Sequence, residues 1–313
     1  MTRPLLAACA LAACQHAAPS QPPTSDAPAT TADSAQPAHD ATDATDDPAG
    51  SGSNAFGSAV VSIPGAGSGR TLPTTIYTPA GDGPFPLVII SPGFQLSRTQ
   101  YASYAAHLAS WGFEVALTDY ADQSLFADHQ LLANDIPAVI DYMLANASID
   151  TGKIALAGHS LGGDISVLAA IGEPRVKAVV GWDPVDGGTP AVLAMMTSFT
   201  QPLAVVGETT DGSGITACSP TADNYAQFYA GAPSPALEMT LAGADHMDWV
   251  DDQSCDVCAL CATGSASPDL AHETTRRLNV AWLRSRFYGD ASMSPWLANP
   301  PEVMAGTATV EQK

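Results

Sequence analysis

Basic residues are scarce in this sequence: 11 Lys and Arg stand against 32 Asp and Glu, a formal charge of −21. Such a surface repels phosphate backbones and anionic headgroups, which excludes nucleic acid as a partner class. Charge of any sign is sparse as well, at 14% of residues. Long apolar runs are missing. The longest, near the N-terminus, spans about ten residues, and a bilayer crossing needs about 20. Repeats are absent, so solenoids and arrays are excluded. Cysteine is rare, with 6 in 313 residues. What is plentiful is apolar residues, 46% of the chain, enough for one large or two small cores.

The opening "MTRPLLAACALAAC" pairs one arginine with a short apolar run, the form of an export signal. Its end, Leu11-Ala12-Ala13-Cys14, resembles the bacterial lipobox, in which cleavage precedes a cysteine that becomes lipidated. The resemblance implies a signal peptide over 1–13, lipidation at Cys14, and a product anchored in the cell envelope through lipid, or secreted. Residues 14–57 are nearly all Ala, Pro, Ser, Thr, Asp and Gly, with no Lys or Arg. A segment of this kind buries too little to offset its ordering entropy and reads as a disordered tether.

From residue 58 strand and helix patterns alternate. "FPLVIISPG" is a continuous apolar run, as in a strand buried on both faces. In the next stretch Tyr101, Tyr104, Ala105, Leu108 and Trp111 recur at helical spacing before Gly112. "FEVALTD", "KIALAG", "VKAVVGWD", "PLAVVG" and "ALEMTLAG" read as further strands. Residues 128–146 read as mostly helical despite Pro137, and 268–287 as a closing amphipathic helix begun by Pro268. This alternation predicts an α/β fold over 58–289, a mostly parallel sheet with helices on both faces and function at the carboxyl ends of the strands. Residues 290–313 read as an irregular tail.

Gly158-His159-Ser160-Leu161-Gly162 is G-x-S-x-G, set between a strand and a helix. In that context the serine is a candidate nucleophile on a strained turn, and the glycines clear the approach of neighbouring elements. A hydroxyl needs a base. Of 7 histidines, His16 and His39 fall in leader and tether, and His107, His129 and His272 in predicted helices. His159 adjoins Ser160 but is expected to point away. His246, in the loop after the last strand, remains. Oxyanion donors are expected at the amides of Leu161 and of Phe94, with Gln95 as the second choice for the latter. The acid that orients the imidazole is expected at Asp183, after the sixth strand, with Asp211, after the seventh, as the alternative. Gln95, Trp182, Met247 and Trp249 are candidate pocket walls. Cys218, Cys255, Cys258 and Cys261 are disulfide candidates with three pairings open, a reading preferred to a metal cluster. No metal or cofactor is expected.

The elbow "LAGHSLGG", the loop "SPGF" and the segments "HLASWGFEVALTDY", "GWDPVDG" and "GADHMDWVDD" together resemble chlorophyllases, a branch of the α/β-hydrolase superfamily. "SPGF" is also similar to cutinase-like polyester hydrolases. The Asp183-Pro184 pair resembles the acid of pancreatic-type lipases. The resemblance implies a serine carboxylic-ester hydrolase that forms an acyl-enzyme on a small or polymeric ester. Its alternatives are a lipase or cutinase-like polyesterase and, from another class, a non-catalytic binding lipoprotein on a hydrolase scaffold. The chain departs from chlorophyllases at Leu161, where they often carry arginine.

Overall fold

The computed structural model describes residues 47–66, 70–120, 128–214, 217–255 and 257–313. The leader, Cys14 and the tether up to residue 46 lie outside the described residues. Nine strands form one sheet: β1 (Phe56–Pro64), β2 (Thr71–Pro79), β3 (Phe85–Ser91), β4 (Glu114–Thr118), β5 (Ile149–His159), β6 (Val176–Trp182), β7 (Leu203–Glu208), β8 (Ala236–Leu241) and β9 (Ala308–Gln312). Their spatial order is β1-β2-β4-β3-β5-β6-β7-β8-β9. From β3 to β8 all pairings are parallel, while β1, β2 and β9 run antiparallel to their neighbours. The predicted α/β fold is therefore the observed one.

The sheet is buried on both faces because its strands are apolar at successive positions. Val88, Ile90, Val115, Ala155, Ala157 and Val180 share one core with α1 (Ala102–Ser110) and α6 (Pro268–Tyr288). The alternate residues Leu87, Ile89, Ala116, Ile154, Leu156 and Val179 face the other core. That core is completed by α2 (His129–Ala133), α3 (Ile136–Asn146), α4 (Leu161–Gly172) and α5 (Tyr225–Gly231). The single helix expected over 128–146 is two helices. Pro137 has no amide hydrogen to give, so it occupies the first turn of α3 rather than the interior of a longer helix. α6 matches its expected span. The Ser267 hydroxyl caps its first turn, and Gly289 ends it in the left-handed conformation.

Two boundaries differ from expectation. The tether was expected to reach residue 57, but residues 47–55 lie along α1 and α6. The Asp47 carboxylate accepts from Arg277 at 2.8 and 2.7 Å, and the Gly50 carbonyl accepts from Trp111 Nε1 at 2.9 Å. Asn54 N donates to the Ser110 carbonyl at 2.9 Å. Arg277 is buried, and a buried guanidinium demands partners, here Asp47 and Glu302. The C-terminal stretch is not an irregular tail either. Residues 290–313 form α7 (Ser294–Ala298), α8 (Pro301–Met304) and β9, which pairs with β8 from Leu237↔Gln312 to Leu241↔Ala308. β9 covers what would otherwise be an open sheet edge.

The order of strands reverses at β3. The chain moves outward from β3 to β4, then crosses back to β5 on the other side of β3. The crevice above the carboxyl ends of β3 and β5 is therefore a topological switch point, where an α/β sheet binds its ligand.

Candidate active site

Ser160 stands at that point, between β5 and α4, at φ 52° and ψ −121°. A non-glycine residue held there is strained by about 1–3 kcal/mol. The turn is possible because its flanks are glycines. A Cβ on Gly158 would lie 2.4 Å from the Gly162 carbonyl carbon, and one on Gly162 would lie 2.0 Å from the Ser91 carbonyl oxygen. The second contact presses the start of α4 against the end of β3. It brings the loop after β3 beside Leu161, whose amide opens α4 with no acceptor a turn earlier. In that loop Leu96 N donates to the Gly93 carbonyl at 3.1 Å, closing a tight turn through Phe94 and Gln95. Gln95 holds φ at 55°, a second strained residue beside the first. Phe94 is half-buried and Gln95 exposed.

His246 follows β8 in a buried turn. Its Nε2 lies 2.9 Å from Ser160 Oγ, and its Nδ1 lies 2.6 Å from Asp183 Oδ2. Asp183 follows β6 at φ 42°, with its amide bonded to the Val206 carbonyl. Its other oxygen, Oδ1, accepts from Ser219 Oγ at 2.9 Å. Asp211 is elsewhere. Its Oδ2 accepts from the His246 backbone amide at 3.0 Å and its Oδ1 from the Ala262 amide at 2.8 Å. The structure thus brings Asp183 to the imidazole and Asp211 to the main chain that carries it.

Burial alone would lower the pKa of His246, but the hydrogen bond and charge of Asp183, with Asp211 and Glu208 behind it, outweigh burial and raise it. Glu208 is pushed up to about 8 by burial first and by the Asp183 charge second. Its Oε2 accepts from Thr210 N and from Asp211 N, which shapes the loop that presents Asp211.

Three of the candidate pocket walls are core residues. Trp182 is fully buried against Tyr101 and Tyr104, and its Nε1 donates to Asn279 at 3.0 Å. Trp249 is fully buried, with Nε1 donating to Thr275. Met247 packs in the same cluster. Each lies close in sequence to a site residue but points to the α1 and α6 side of the sheet. Ser219 was not anticipated, because a lone serine beside a cysteine carries no signal until the loop places it on Asp183.

Cys218 is bonded to Cys261, and Cys255 to Cys258. The first bridge sits between Ser219, on Asp183, and Ala262, on Asp211. Among the described residues, the one grouping with metal-ligand spacing is Asp211, Cys218 and Cys261. There the two sulfurs are joined to each other and both Asp211 oxygens already accept amide hydrogens. No helix among the described residues is long and apolar enough to cross a membrane.

The chlorophyllase family model matches residues 57–304. Chlorophyllase-1, chloroplastic, of Citrus sinensis is 30% identical over 245 residues, which are 70% of this chain and 74% of the relative. A bis(hydroxyethyl) terephthalate hydrolase of Streptomyces coelicolor is 31% identical over 229 residues, 69% of this chain and 62% of the relative. A cutinase of Thermobifida alba is 26% identical over 235 residues, 72% and 68% of the two chains. The match runs from β1 through α8 and takes in the elbow, the sheet and the loops above it, so the chain belongs to the chlorophyllase family of α/β-hydrolases and is a carboxylic ester hydrolase.

Proposed function

We propose that the protein is an exported serine esterase with chlorophyllase-like chemistry, in which Ser160, His246 and Asp183 act as a triad. One observation carries this reading: the His246 imidazole bridges the other two, with Nε2 on the hydroxyl and Nδ1 on the carboxylate. The Asp183 acceptor fixes the tautomer that leaves Nε2 free to take a proton. Ser160 Oγ attacks the ester carbonyl as His246 removes its proton. The tetrahedral oxyanion meets the Phe94 and Leu161 amides at the positive end of α4. As the intermediate collapses, His246 returns the proton to the departing alcohol and leaves an acyl group on Ser160. Water, activated by the same imidazole, releases the acid.

The related cutinase and terephthalate-ester hydrolase favour a second substrate reading, a polyester or aromatic diester. The binding-lipoprotein reading finds no support, since a binding module has no use for a strained serine on a base. The test is a panel of nitrophenyl esters, chlorophyll, bis(hydroxyethyl) terephthalate, triglyceride and a polyester film, run beside fluorophosphonate labelling. Turnover of short nitrophenyl esters and of chlorophyll is expected, with the label on Ser160. A chain inert on every ester and unlabelled by the phosphonate would defeat the proposal.

The same reading places lipid on Cys14, supported by Leu11-Ala12-Ala13-Cys14. Cys14→Ser expressed in a bacterial host should leave the membrane fraction. If it still sediments with membranes and takes up as much labelled palmitate as the parent, the anchor is wrong.

A further inference from the structure

His159 precedes the nucleophile and is fully buried, behind the serine. Its Nε2 lies 2.8 Å from the main-chain carbonyl oxygen of His246. A carbonyl only accepts, so Nε2 must carry the hydrogen. Burial first, and the neighbouring His246 second, hold the ring well below the usual imidazole range, so it carries one proton only. Nδ1 is then bare and can only accept. The group facing it at 2.8 Å is the Tyr101 hydroxyl, which must donate. The Tyr101 oxygen in turn accepts the Gly93 amide at 3.1 Å. Every direction is fixed: Gly93 N–H to Tyr101, Tyr101 O–H to His159, His159 N–H to the His246 carbonyl.

We infer that Tyr101 and His159 are positioning residues for ester hydrolysis, tying the turn that presents the Phe94 amide to the main chain of the base. The inference rests on the triad reading above. The line starts one residue before Phe94 and ends on His246 itself. Asp211 holds the amide of His246 from the other side, so both main-chain polar groups of the base are gripped by buried side chains. The grip also explains Gly93. A Cβ there would lie 3.0 Å from His159 Nδ1 and 3.2 Å from the Tyr101 oxygen, on the hydrogen bond between them. Neither side chain hydrogen-bonds a reacting atom, and the His159 ring packs on the His246 ring with centroids 4.7 Å apart. What they fix is the separation between the oxyanion donor and the base, and a misplacement of about 1 Å there costs about 10²-fold.

The test uses Tyr101→Phe, His159→Gln and the double variant. Phenylalanine keeps the ring against Trp182 and deletes only the hydroxyl. Glutamine keeps a donor for the His246 carbonyl, while its amide oxygen, one bond further from Cβ than Nδ1, no longer sits where Tyr101 donates. Each single variant should lower kcat by about 10- to 100-fold with KM within about twofold, and slow fluorophosphonate labelling in proportion. The double variant should be no worse than the weaker single, because the two cut one line. Tyr101→Phe with wild-type kcat and only a lowered Tm would overturn the inference, as would losses that multiply. Should His159→Gln fail to fold, Tyr101→Phe alone decides. A wild type inert to esters and phosphonate defeats the triad reading and this one with it. An active wild type with an equally active Tyr101→Phe defeats this one only.

Discussion

Ser160→Ala should lower kcat by about 10⁶-fold, the scale reached when an acyl-transfer enzyme loses its nucleophile. The substitution deletes one oxygen, whose hydrogen bond is to His246 Nε2. It keeps the Cβ and so leaves the strained turn as it is, and the glycines that admit the turn are untouched. The Tm should therefore stay close to that of the parent. Whatever activity is left above the uncatalysed rate would come from the Phe94 and Leu161 amides and from substrate binding, a residue of about 10³–10⁴-fold in comparable systems. The measurement is single-turnover release of nitrophenol from a preparation free of host esterases. A variant that keeps more than about a hundredth of kcat would remove Ser160 from the chemistry.

Asp183→Asn should cost about 10³–10⁴-fold in kcat with the fold intact. Asparagine fills the same volume, but its amide nitrogen can meet His246 Nδ1 as a donor and turn the imidazole into the wrong tautomer. Asp211→Asn should cost far less, about tenfold, because Asp211 holds the main chain of His246 and not its ring. The pH profile separates the two. The base works when neutral, so kcat/KM rises as pH climbs through the His246 pKa. Asp183 outweighs burial and holds that pKa above the ordinary imidazole value. With the Asp183 charge gone, the field of Asp211 and Glu208 remains but the largest opposing contribution is lost, and the acidic limb should move to lower pH. If Asp211→Asn proves the more damaging and moves the limb further, the acid is Asp211.

The parallel sheet was legible because its strands are short, almost wholly apolar and separated by helical periods. The elbow was legible because glycines at fixed spacing have a steric meaning, and His246 stood out by elimination among 7 histidines. Other features needed the fold. Residues 47–55 look like the tether in composition, yet Asp47 and Gly50 find Arg277 and Trp111, partners that local reading has no means of pairing. Residues 290–313 lack a long apolar run, but β9 needs few apolar residues at the edge of an existing sheet. Trp182 and Trp249 illustrate a different error. Trp182 ends β6 in phase with Ala178 and Val180 and opposite Val179, since successive strand residues face opposite sides, while Trp249 sits in the turn after β8 and packs into the same core. The tryptophan beside Asp183 therefore turns into the α1 and α6 core.

The Cys218–Cys261 bridge closes a covalent ring with a sequence separation of 43 residues. Inside the ring lie Ser219, β8 and His246. Chain-entropy reasoning assigns a crosslink of that span about 4 kcal/mol, taken from the freedom of the unfolded chain and not added to native contacts. The ring is a constraint on the disordered ensemble. However far the chain opens, the segment bearing the base cannot stray from the segment bearing the serine that steadies Asp183. Each refolding event with the bridge intact thus begins with His246 and Ser219 already held in one covalent loop.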